Sequence, residues 1–484
     1  MTLNSAIQSA LSGLSMASRA TMTIASNVAN ATTEGYGRRD LELVARDGNR
    51  GAPGVMVVTE RRIVDAGLVN ERRLTDAALA ETGTRSAALH AVERAFGVPG
   101  APGALATRVA DFTAALTEAA SRPDSLPRLD TVLRTAQGLA GDIAGLGRTI
   151  QSERSAADTG IGTAVDRLND GLAEVQRLNR LIQREIAAGQ PPNGLIDQRQ
   201  RVIDGIADLV PLREVPRPGG QINLYTTNGA VLLLDGRRAE VGFAGPGGPV
   251  EPGMSLADGT LRGLTLDGRP IFTGPGGPLG GGQIDGLFAV RDGLLADAQT
   301  ELDILAADLI TRFETADGAT PVPGIGGLFT DAGASLGAPW APGLAQRLSV
   351  SPRVDPAGPD GELWRLRTGL GGAAPGLVGD ARGLDALARA LEGLSGLPGL
   401  SGPDRDFAGH AAELGARLGR QRDAAEVEGA AAAARNTALL DAEASGGVDT
   451  DAEMQRLLTI ERLYAANARV LMAVDEMMQR LLAI

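Results

Sequence analysis

The sequence predicts a mainly α-helical, multidomain protein with β inserts (an α+β chain), and three observations support this fold class. Apolar residues recur at helical spacing along most of the chain, aromatic residues make up only 3% of it, and strand-like alternation begins at residue 212. A core poor in Phe, Tyr and Trp rests on Leu, Val, Ile and Ala, which suits helices packed side by side. With 484 residues, the chain is long enough for several domains.

A heptad seam predicts the first helix, over residues 3–28. Apolar or small residues fall at alternating spacings of four and three, at Leu3, Ile7, Ala10, Leu14, Ala17, Thr21, Ile24 and Val28. Most other positions are Ser, Thr, Asn or Gln, and Arg19 is the only charged residue before Glu34. Because a neutral polar face is buried at lower desolvation cost than a charged one, this helix is expected to be surrounded by neighbours in an assembly.

A second heptad seam closes the chain. Its positions are Leu457, Ile460, Tyr464, Asn467, Leu471, Val474, Met478 and Leu481. Thr450 and Glu453 have the spacing of a capping box, which predicts the helix start. Asn467 is a polar seam position of the kind that sets register at some cost in stability. Periodicity alone leaves open whether the two terminal helices pair with each other or belong to an ordinary bundle.

The loop after the first helix carries a distinctive group of residues. Asn27 and Asn30 lie three apart and are expected to offer their amides to backbone or neighbours on one helix face. Gly35 suits a left-handed helix exit, and Tyr36 can pack its ring while its hydroxyl stays hydrogen-bonded. Arg38 is expected to reach an acidic group on an adjacent chain.

The interior alternates between helical, β-rich and Gly/Pro-rich stretches. Pro-bounded turns separate helices before residue 211, and Asn228-Gly229 predicts a hairpin. The predicted organisation is a terminal coiled-coil domain of residues 1–45 with 446–484, a helical rod domain of residues 46–211, 290–325 and 405–445, a β-rich insert of residues 212–289, and a Gly/Pro-rich outer insert of residues 326–404.

Composition excludes several classes of function. The net charge is −13, which disfavours nucleic-acid binding, and the absence of Cys excludes disulfides and thiolate metal sites. The N-terminus lacks the basic and apolar regions of a cleaved signal peptide. The sequence contains no run of about 18 apolar residues, so no membrane span is predicted. The chain is therefore expected to be cytosolic or exported by another route.

No constellation of residues predicts catalysis, a cofactor or a metal. Asp449, Asp451 and Glu453 lie at a helix start, where capping explains them better than a cation site. His90 and His410 lie in helical patterns without an obvious partner, so packing or surface roles are expected. The chain is predicted not to be an enzyme.

At both ends the sequence resembles the bacterial flagellar rod, hook and hook-associated proteins. Residues 9–39, SALSGLSMASRATMTIASNVANATTEGYGRR, are similar to the N-terminal signature of that family, and residues 447–482 resemble its closing helix. Three interior segments, at 177–210, 219–238 and 281–313, resemble the members that join hook to filament. Glu34 stands where the family more often has Pro.

The resemblance implies a structural component of the flagellum, an adaptor between hook and filament that self-assembles through terminal helices paired in an inner tube. It also implies uncleaved type III export to the cell exterior. The implied partners are further copies of the chain, the hook protein, a second junction protein, and an export chaperone acting near the C-terminal helix. A rod or hook protein of the same family, and a cytosolic coiled-coil scaffold, remain alternatives.

The seams and the loop together define the candidate assembly interface. Its residues are Leu3, Ile7, Leu14, Ile24, Asn27, Val28, Asn30, Gly35, Tyr36, Arg38, Leu457, Ile460, Tyr464, Asn467, Leu471, Val474, Met478 and Leu481. Both terminal helices are expected to be mobile in the monomer and to become ordered when neighbours bury them.

Overall fold

A computed structural model describes residues 3–46, 54–97, 104–317, 326–358, 360–400 and 402–482. Helices dominate these residues. They are α1 (Leu3–Ala29), α2 (Ala66–Phe96), α3 (Leu105–Ser121), α4 (Leu126–Ala187), α5 (Asn193–Ala207), α6 (Gly282–Phe288), α7 (Leu295–Ala316), α8 (Leu344–Arg347), α9 (Arg365–Thr368), α10 (Arg382–Glu392), α11 (Phe407–Gly446) and α12 (Thr450–Leu482). A π-helical turn, Ala289–Leu294, joins α6 to α7.

The strands form small antiparallel sheets. They are β1 (Arg38–Arg46), β2 (Gly54–Ile63), β3 (Leu212–Pro216), β4 (Ile222–Thr226), β5 (Val231–Leu234), β6 (Arg237–Arg238), β7 (Val241–Phe243), β8 (Leu264–Leu266), β9 (Arg269–Pro270), β10 (Phe329–Asp331) and β11 (Leu348–Val350). Their orders are β1-β2, β3-β4-β5-β6, β7-β8-β9 and β10-β11. The predicted fold class, mainly helical with β inserts, is confirmed.

The long helix α4 is the spine of the body. It runs for 62 residues and starts after Ser125, with Pro127 in its first turn. The N–H group that proline lacks would have no partner within the helix at this position. Its half up to Ala157 lies in one hydrophobic cluster with α3, α7 and α11. From Ile161 onward it lies in a second cluster with α5 and the β-rich insert. One helix therefore supports two cores.

Residues 326–404, predicted as an outer insert, contribute to the first of these cores. Leu344, Leu366 and Leu384 are buried in the same cluster as Phe112 and Phe313 of α3 and α7. Short helices and loops rich in Gly and Pro bury their leucines against the longer helices instead of forming a core of their own. The predicted boundary at 325 lies outside the described residues.

A buried arginine holds the β-rich insert against α4. Arg291, in the π-helical turn, is fully buried and donates to Asp158 at 2.5 Å and to Asp292 at 2.8 Å. Its guanidinium carbon lies 4.8 Å from the ring centroid of Phe288 and 5.7 Å from that of Phe243. Paired carboxylates and aromatic faces together stabilise this buried charge.

A charged cluster ties α2, α5, α11 and β3 together at the end of the body nearest the chain termini. Arg73 is 1% exposed and donates to Asp204 at 2.7 Å and to Glu214 at 2.9 Å. Arg72 donates to Glu443 of α11 at 3.0 Å. These ion pairs hold α2, α5, α11 and β3 together.

The terminal region consists of α1, α12 and the β1–β2 ribbon. Residues 54–63, which the predicted domain division assigned to the helical rod, form strand β2 because Val and Thr at alternating positions favour an extended chain. The ribbon lies along α1, where the Ser12 hydroxyl accepts the backbone N–H of Val55 at 3.2 Å. The predicted division into domains otherwise remains a prediction.

Candidate assembly site at the paired terminal helices

Helices α1 and α12 pack against each other in antiparallel orientation, which confirms the prediction that the two terminal helices pair. Near one end of the pair Asn27 contacts Glu453, and further along Gly13 lies against Asn467. The α1 side of the contact is built from small buried residues, including Ala10 and Ala17. Small side chains let the two backbones approach closely.

The predicted interface residues differ in how far the pair covers them. Those that are buried are Ile24, Asn27 and Val474. Those that are half-buried are Leu3, Ile7, Leu14, Val28, Asn30, Gly35, Tyr36, Arg38, Leu457, Ile460, Asn467 and Leu471. Those that stay exposed are Tyr464, Met478 and Leu481. Helix α1 therefore covers the seam of α12 incompletely, and least near its C-terminus.

Gly13 lies directly against the side chain of Asn467 in the seam. A side-chain carbon added at Gly13 would lie 2.6 Å from Nδ2 and 2.8 Å from Cγ of Asn467. Asn467 also donates to the backbone oxygen of Leu463 at 3.0 Å, which holds its amide over the glycine. The polar seam position is thus matched to one position on the partner helix.

Asn27 is the centre of the polar contacts, because its buried amide makes all four hydrogen bonds available to an asparagine. Nδ2 donates to the backbone oxygen of Arg39 at 2.9 Å and to Oε2 of Glu453 at 3.2 Å. Oδ1 accepts from the Tyr36 hydroxyl at 2.9 Å and from the Arg39 N–H at 3.0 Å. The side chain thereby joins its own helix, the following loop and the C-terminal helix.

Glu453 is the acidic partner of the loop, and it belongs to the same chain. Its carboxylate is 2% exposed and accepts from Arg38 Nε at 3.1 Å, from Arg456 at 3.1 Å and from Asn27. Arg38 therefore finds an acidic group within its own chain, and its predicted contact with an adjacent chain stays a prediction. Two cations and an amide compensate the burial of this carboxylate.

The predicted capping box at α12 is wrong in its residues. Asp449 is the cap, since its Oδ1 accepts the N–H groups of Asp451 at 2.9 Å and Ala452 at 3.0 Å. Glu453 is then free to turn toward α1 and the loop. Local spacing matched Thr450 to Glu453, but a buried partner 426 positions away in sequence determines where this carboxylate points.

The two glycines of the loop are required for different reasons. Gly35 adopts φ +74°, a left-handed conformation, and a side chain there would meet Arg201. A side chain at Gly37 would overlap Arg62, which crosses directly above it. Asn30, by contrast, donates to the Ser26 backbone oxygen at 2.9 Å and serves the end of its own helix.

Asp197 of α5 seats the loop on the body. Its carboxylate accepts the Gly37 N–H at 3.1 Å, Arg39 Nη2 at 3.2 Å and Arg62 Nε at 2.7 Å. The Arg39 guanidinium carbon lies 5.0 Å from the centroid of the Tyr36 ring. A single carboxylate therefore holds the loop backbone, the first strand and the second strand of the ribbon.

Two residues after Asp197, Arg199 fixes α5 to α4. Arg199 donates to Asn179 Oδ1 at 2.7 Å and to the backbone oxygen of Gly220 at 2.7 Å. Burial lowers the pKa of this guanidinium to about 10, with Glu214 opposing the shift and the neighbouring arginines 62 and 73 adding to it. The loop, α5 and the spine thus form a continuous set of contacts.

Sequence reasoning missed several residues of this site. They are Gly13, Gly37, Arg39, Arg62, Asp197 and the α1-facing role of Glu453. Two signals were available. Gly13 occurs inside an otherwise regular heptad helix, where glycine costs about 1 kcal/mol relative to alanine and so needs a packing reason. Consecutive arginines at the start of a strand point to opposite faces and need two partners.

Large apolar side chains face solvent along both helices of the terminal pair. On α1 these are Leu11 and Met22, with exposures of 52% and 62%. On α12 they include Met454, Leu458, Leu463, Val470, Met472 and Met477. An apolar groove of about 460 Å³ runs between α1, β1 and α12, lined by Met16, Ile24, Leu41 and Ile460 among others. Exposed apolar patches of this kind mark interaction surfaces.

Family models match this chain at both ends and in its middle. A flagellar basal body rod protein model matches residues 7–36, and a model of the C-terminal region of the flagellar basal body rod FlgEFG proteins matches residues 443–484. The helical domain of the flagellar hook-associated protein FlgK matches residues 89–319, which include α3 to α7.

A hook-associated protein 1 of Bacillus subtilis is 25% identical to the chain, and the match covers 98% of this chain and 97% of the relative. Together with the family models, this match supports an FlgK-type flagellar hook-associated protein. FlgK-type proteins are structural proteins of the bacterial flagellum. The hook-associated protein 1 of Escherichia coli is 23% identical, over 65% of this chain and 57% of its own length.

The flagellar hook junction protein FlgK of Burkholderia pseudomallei superimposes with a TM-score of 0.43, at 21% identity, over 54% of this chain and 46% of that structure. The site described above brings the two rod-type matches into contact, since Asn27 lies in the N-terminal match and Glu453 in the C-terminal match. Among the described residues, no helix has the length and apolarity needed to cross a membrane.

Proposed function

We propose that this chain is a structural subunit that joins the hook of a bacterial flagellum to its filament. The observation that carries the proposal is an incompletely covered pair of terminal helices, matched by rod-type family models at both ends, with a FlgK-type helical domain between them. A subunit of this kind acts by assembly, and no catalytic group, cofactor or metal takes part in it.

The distribution of apolar residues on α12 supports assembly through the termini. At about 100° per residue, α12 carries apolar residues on three stripes, one facing α1 and two on its flanks. The flanking stripes are Met454, Leu458 and Met472 on one side, and Leu463, Val470 and Met477 on the other. Burial of each such side chain contributes roughly 1.5–3 kcal/mol, so neighbouring subunits that cover the flanks stabilise the assembly strongly.

The charge of the terminal segments supports the same function. Residues 1–45 and 446–484 contain seven arginines against nine carboxylates, whereas the whole chain has a net charge of −13. Nearly neutral helices pack in a crowded tube without strong repulsion, and the acidic body remains outside it. The termini are the part of the chain suited to be surrounded by copies of itself.

The partners that fit this function are further copies of the chain, the hook protein, a second hook–filament junction protein, and the type III export apparatus with its chaperone. The functional location is extracellular, at the hook–filament junction. Similarity to the hook-associated proteins and the uncovered terminal stripes support these partners, and the acidic charge argues against nucleic acid as one.

The test uses cells that lack the gene and express variants of the chain. Ile24→Asp and Leu471→Asp each place a charge in the seam and should abolish filaments while the purified body keeps its helical circular dichroism. Ala156→Asp, at an exposed position of the body helix α4, is the matched control and should restore motility. Motile cells with complete filaments carrying Ile24→Asp would overturn the assembly role of the seam.

Immunogold labelling of sheared flagella tests the location. Labelling confined to the boundary between hook and filament is the expected result. Labelling along the hook, or in the basal rod, would favour the rod or hook alternative, which the rod-type matches at both ends keep open. Retention inside the cell would favour a coiled-coil scaffold.

A further inference from the structure

We propose that residues 35–39, which are the end of the loop after α1 and the first two residues of β1, couple two events: docking of α12 on α1, and seating of the terminal helix pair on the body. In this proposal Asp197 is a positioning residue that fixes the terminal pair relative to α5. The coupling belongs to the single chain, so it stands apart from where in the flagellum the chain is assembled.

The first step is that the first two side chains of β1 reach in opposite directions. Arg38 donates to Glu453 at the start of α12, and Arg39 donates to Asp197 of α5. Neighbouring residues of a strand point to opposite faces, so one short backbone segment carries both ion pairs. A displacement of this backbone segment therefore disturbs both ion pairs.

The second step is that Asn27 binds the parts on both sides. Its Nδ2 contacts Glu453 and the Arg39 backbone oxygen, and its Oδ1 accepts the Arg39 N–H. Loss of α12 removes one of the four partners of this buried amide and leaves both Asn27 and Arg38 under-satisfied. The backbone that positions Arg39 toward Asp197 is then less firmly held.

The third step is that the seat on α5 depends on close packing as well as charge. Arg62 crosses above Gly37 and donates to Asp197, and it also donates to the Gln200 side chain. The ribbon, the loop and α5 therefore share one carboxylate. Removal of α12 from α1 is therefore expected to weaken the contacts of the loop and the ribbon with Asp197, and docking of α12 is expected to restore them.

Hydrogen exchange on the full chain tests the coupling. Asp197→Asn should accelerate exchange in residues 453–474 about fivefold or more, although the described hydrogen bonds and ion pairs of Asp197 are with the loop and β2. Glu453→Gln should accelerate exchange at residues 35–39 and 193–201 by the same factor, because coupling between two equilibria is reciprocal. The double variant should then change exchange by less than the product of the two single factors.

The controls separate coupling from loss of structure. Exchange in α4 must stay unchanged, which shows that the body is folded. Asp331→Asn removes a comparable carboxylate from Arg347 elsewhere in the body and should leave α12 unchanged. Asp197→Glu, which keeps the charge, should recover part of the effect. Unchanged α12 exchange in Asp197→Asn, or single effects that multiply independently, would overturn the proposal.

A distance measurement gives a second readout. Because the chain has no cysteine, a spin label can be attached at the exposed positions Ser18→Cys on α1 and Ser152→Cys on α4 without background. Glu453→Gln and Gly37→Ala should each broaden the distance distribution between the labels, the second by displacing Arg62. A distribution that stays as narrow as that of the parent chain in both variants would contradict a positioning role for the loop.

Discussion

Gly13→Ala is a sharp test of the seam, because two opposing effects of known size meet at this position. Alanine favours a helix over glycine by roughly 0.8–1.0 kcal/mol. The added carbon, however, would lie 2.6–2.9 Å from three atoms of Asn467, closer than atoms in van der Waals contact allow. The sign of the stability change therefore reports whether Asn467 is held over Gly13.

The expected magnitude follows from these two terms. Overpacking a closely packed contact typically costs about 1–3 kcal/mol. After the gain in helix propensity, Gly13→Ala should destabilise the α1–α12 pair by about 0–2 kcal/mol, or up to roughly 30-fold in the opening equilibrium. In an Asn467→Ala background the obstacle is absent, and the same substitution should stabilise the pair by about 1 kcal/mol.

Native-state hydrogen exchange of the α12 amides measures the opening equilibrium directly. Gly141→Ala is the matched control, because Gly141 lies within α4 with no atom near its missing side chain and should give the full propensity gain. Its effect is read from α4 amides. Stabilisation of α12 by Gly13→Ala with Asn467 present, equal to the Gly141→Ala gain in α4, would refute the register contact.

Two further predictions concern buried charges of the body. Arg291→Met leaves Asp158 and Asp292 without their buried cation and should lower the free energy of unfolding, measured by urea titration, by about 3–5 kcal/mol. The double variant Arg291→Met/Asp158→Asn should recover part of this loss. A loss below about 1 kcal/mol in Arg291→Met would contradict a stabilising role for the ion pairs. Burial raises the pKa of Asp285 above its ordinary 3.8, while the Gly281 amide and Arg85 oppose the rise. The stability that this raised pKa contributes is complete below about pH 4 and is lost as pH rises through the pKa of Asp285 in the folded protein. Asp285→Asn should therefore be more stable than the parent chain at about pH 7 and not at about pH 4. An equal difference in stability at both pH values would refute this.

Local periodicity was sufficient to predict the elements of the terminal region. The spacing from Leu3 to Val28 and from Leu457 to Leu481 reflects the 3.5-residue repeat of packed helices, and both segments are helical. Asn228-Gly229 predicted a hairpin, and β4 and β5 pair across it. These features depend on residues near each other in sequence, so a single sequence suffices.

The polar contacts of the site depend on residues far apart in sequence and were not predicted. Glu453 matched a local capping pattern, yet its partners Asn27 and Arg38 come from the other end of the chain. Asp197 gave no local signal, since an acidic residue on an amphipathic helix is ordinary. A pattern of neighbours cannot show which distant backbone will approach.

Gly/Pro-rich sequence misled the interpretation of residues 326–404 for a related reason. Low helical periodicity suggested an outer insert, but Leu344, Leu366 and Leu384 lie in the core of the long helices. Short helices and turns bury single leucines at irregular spacing, which no period of 2 or 3.6 residues detects. The core of this chain is completed by segments whose local pattern is weak.

The paired terminal helices are well covered at one end and partly exposed at the other. This asymmetry follows from the positions of their polar and apolar residues. Near the body, Asn27 has all its hydrogen bonds and Glu453 is almost fully buried between cations. Toward the C-terminus of α12, Met478 and Leu481 are exposed on the seam itself. Polar contacts at the base fix the direction of the pair, because they require specific geometry, while apolar contacts farther along tolerate different neighbours. A subunit built in this way arrives with its orientation set and its remaining surface available, and assembly supplies the burial that the single chain lacks.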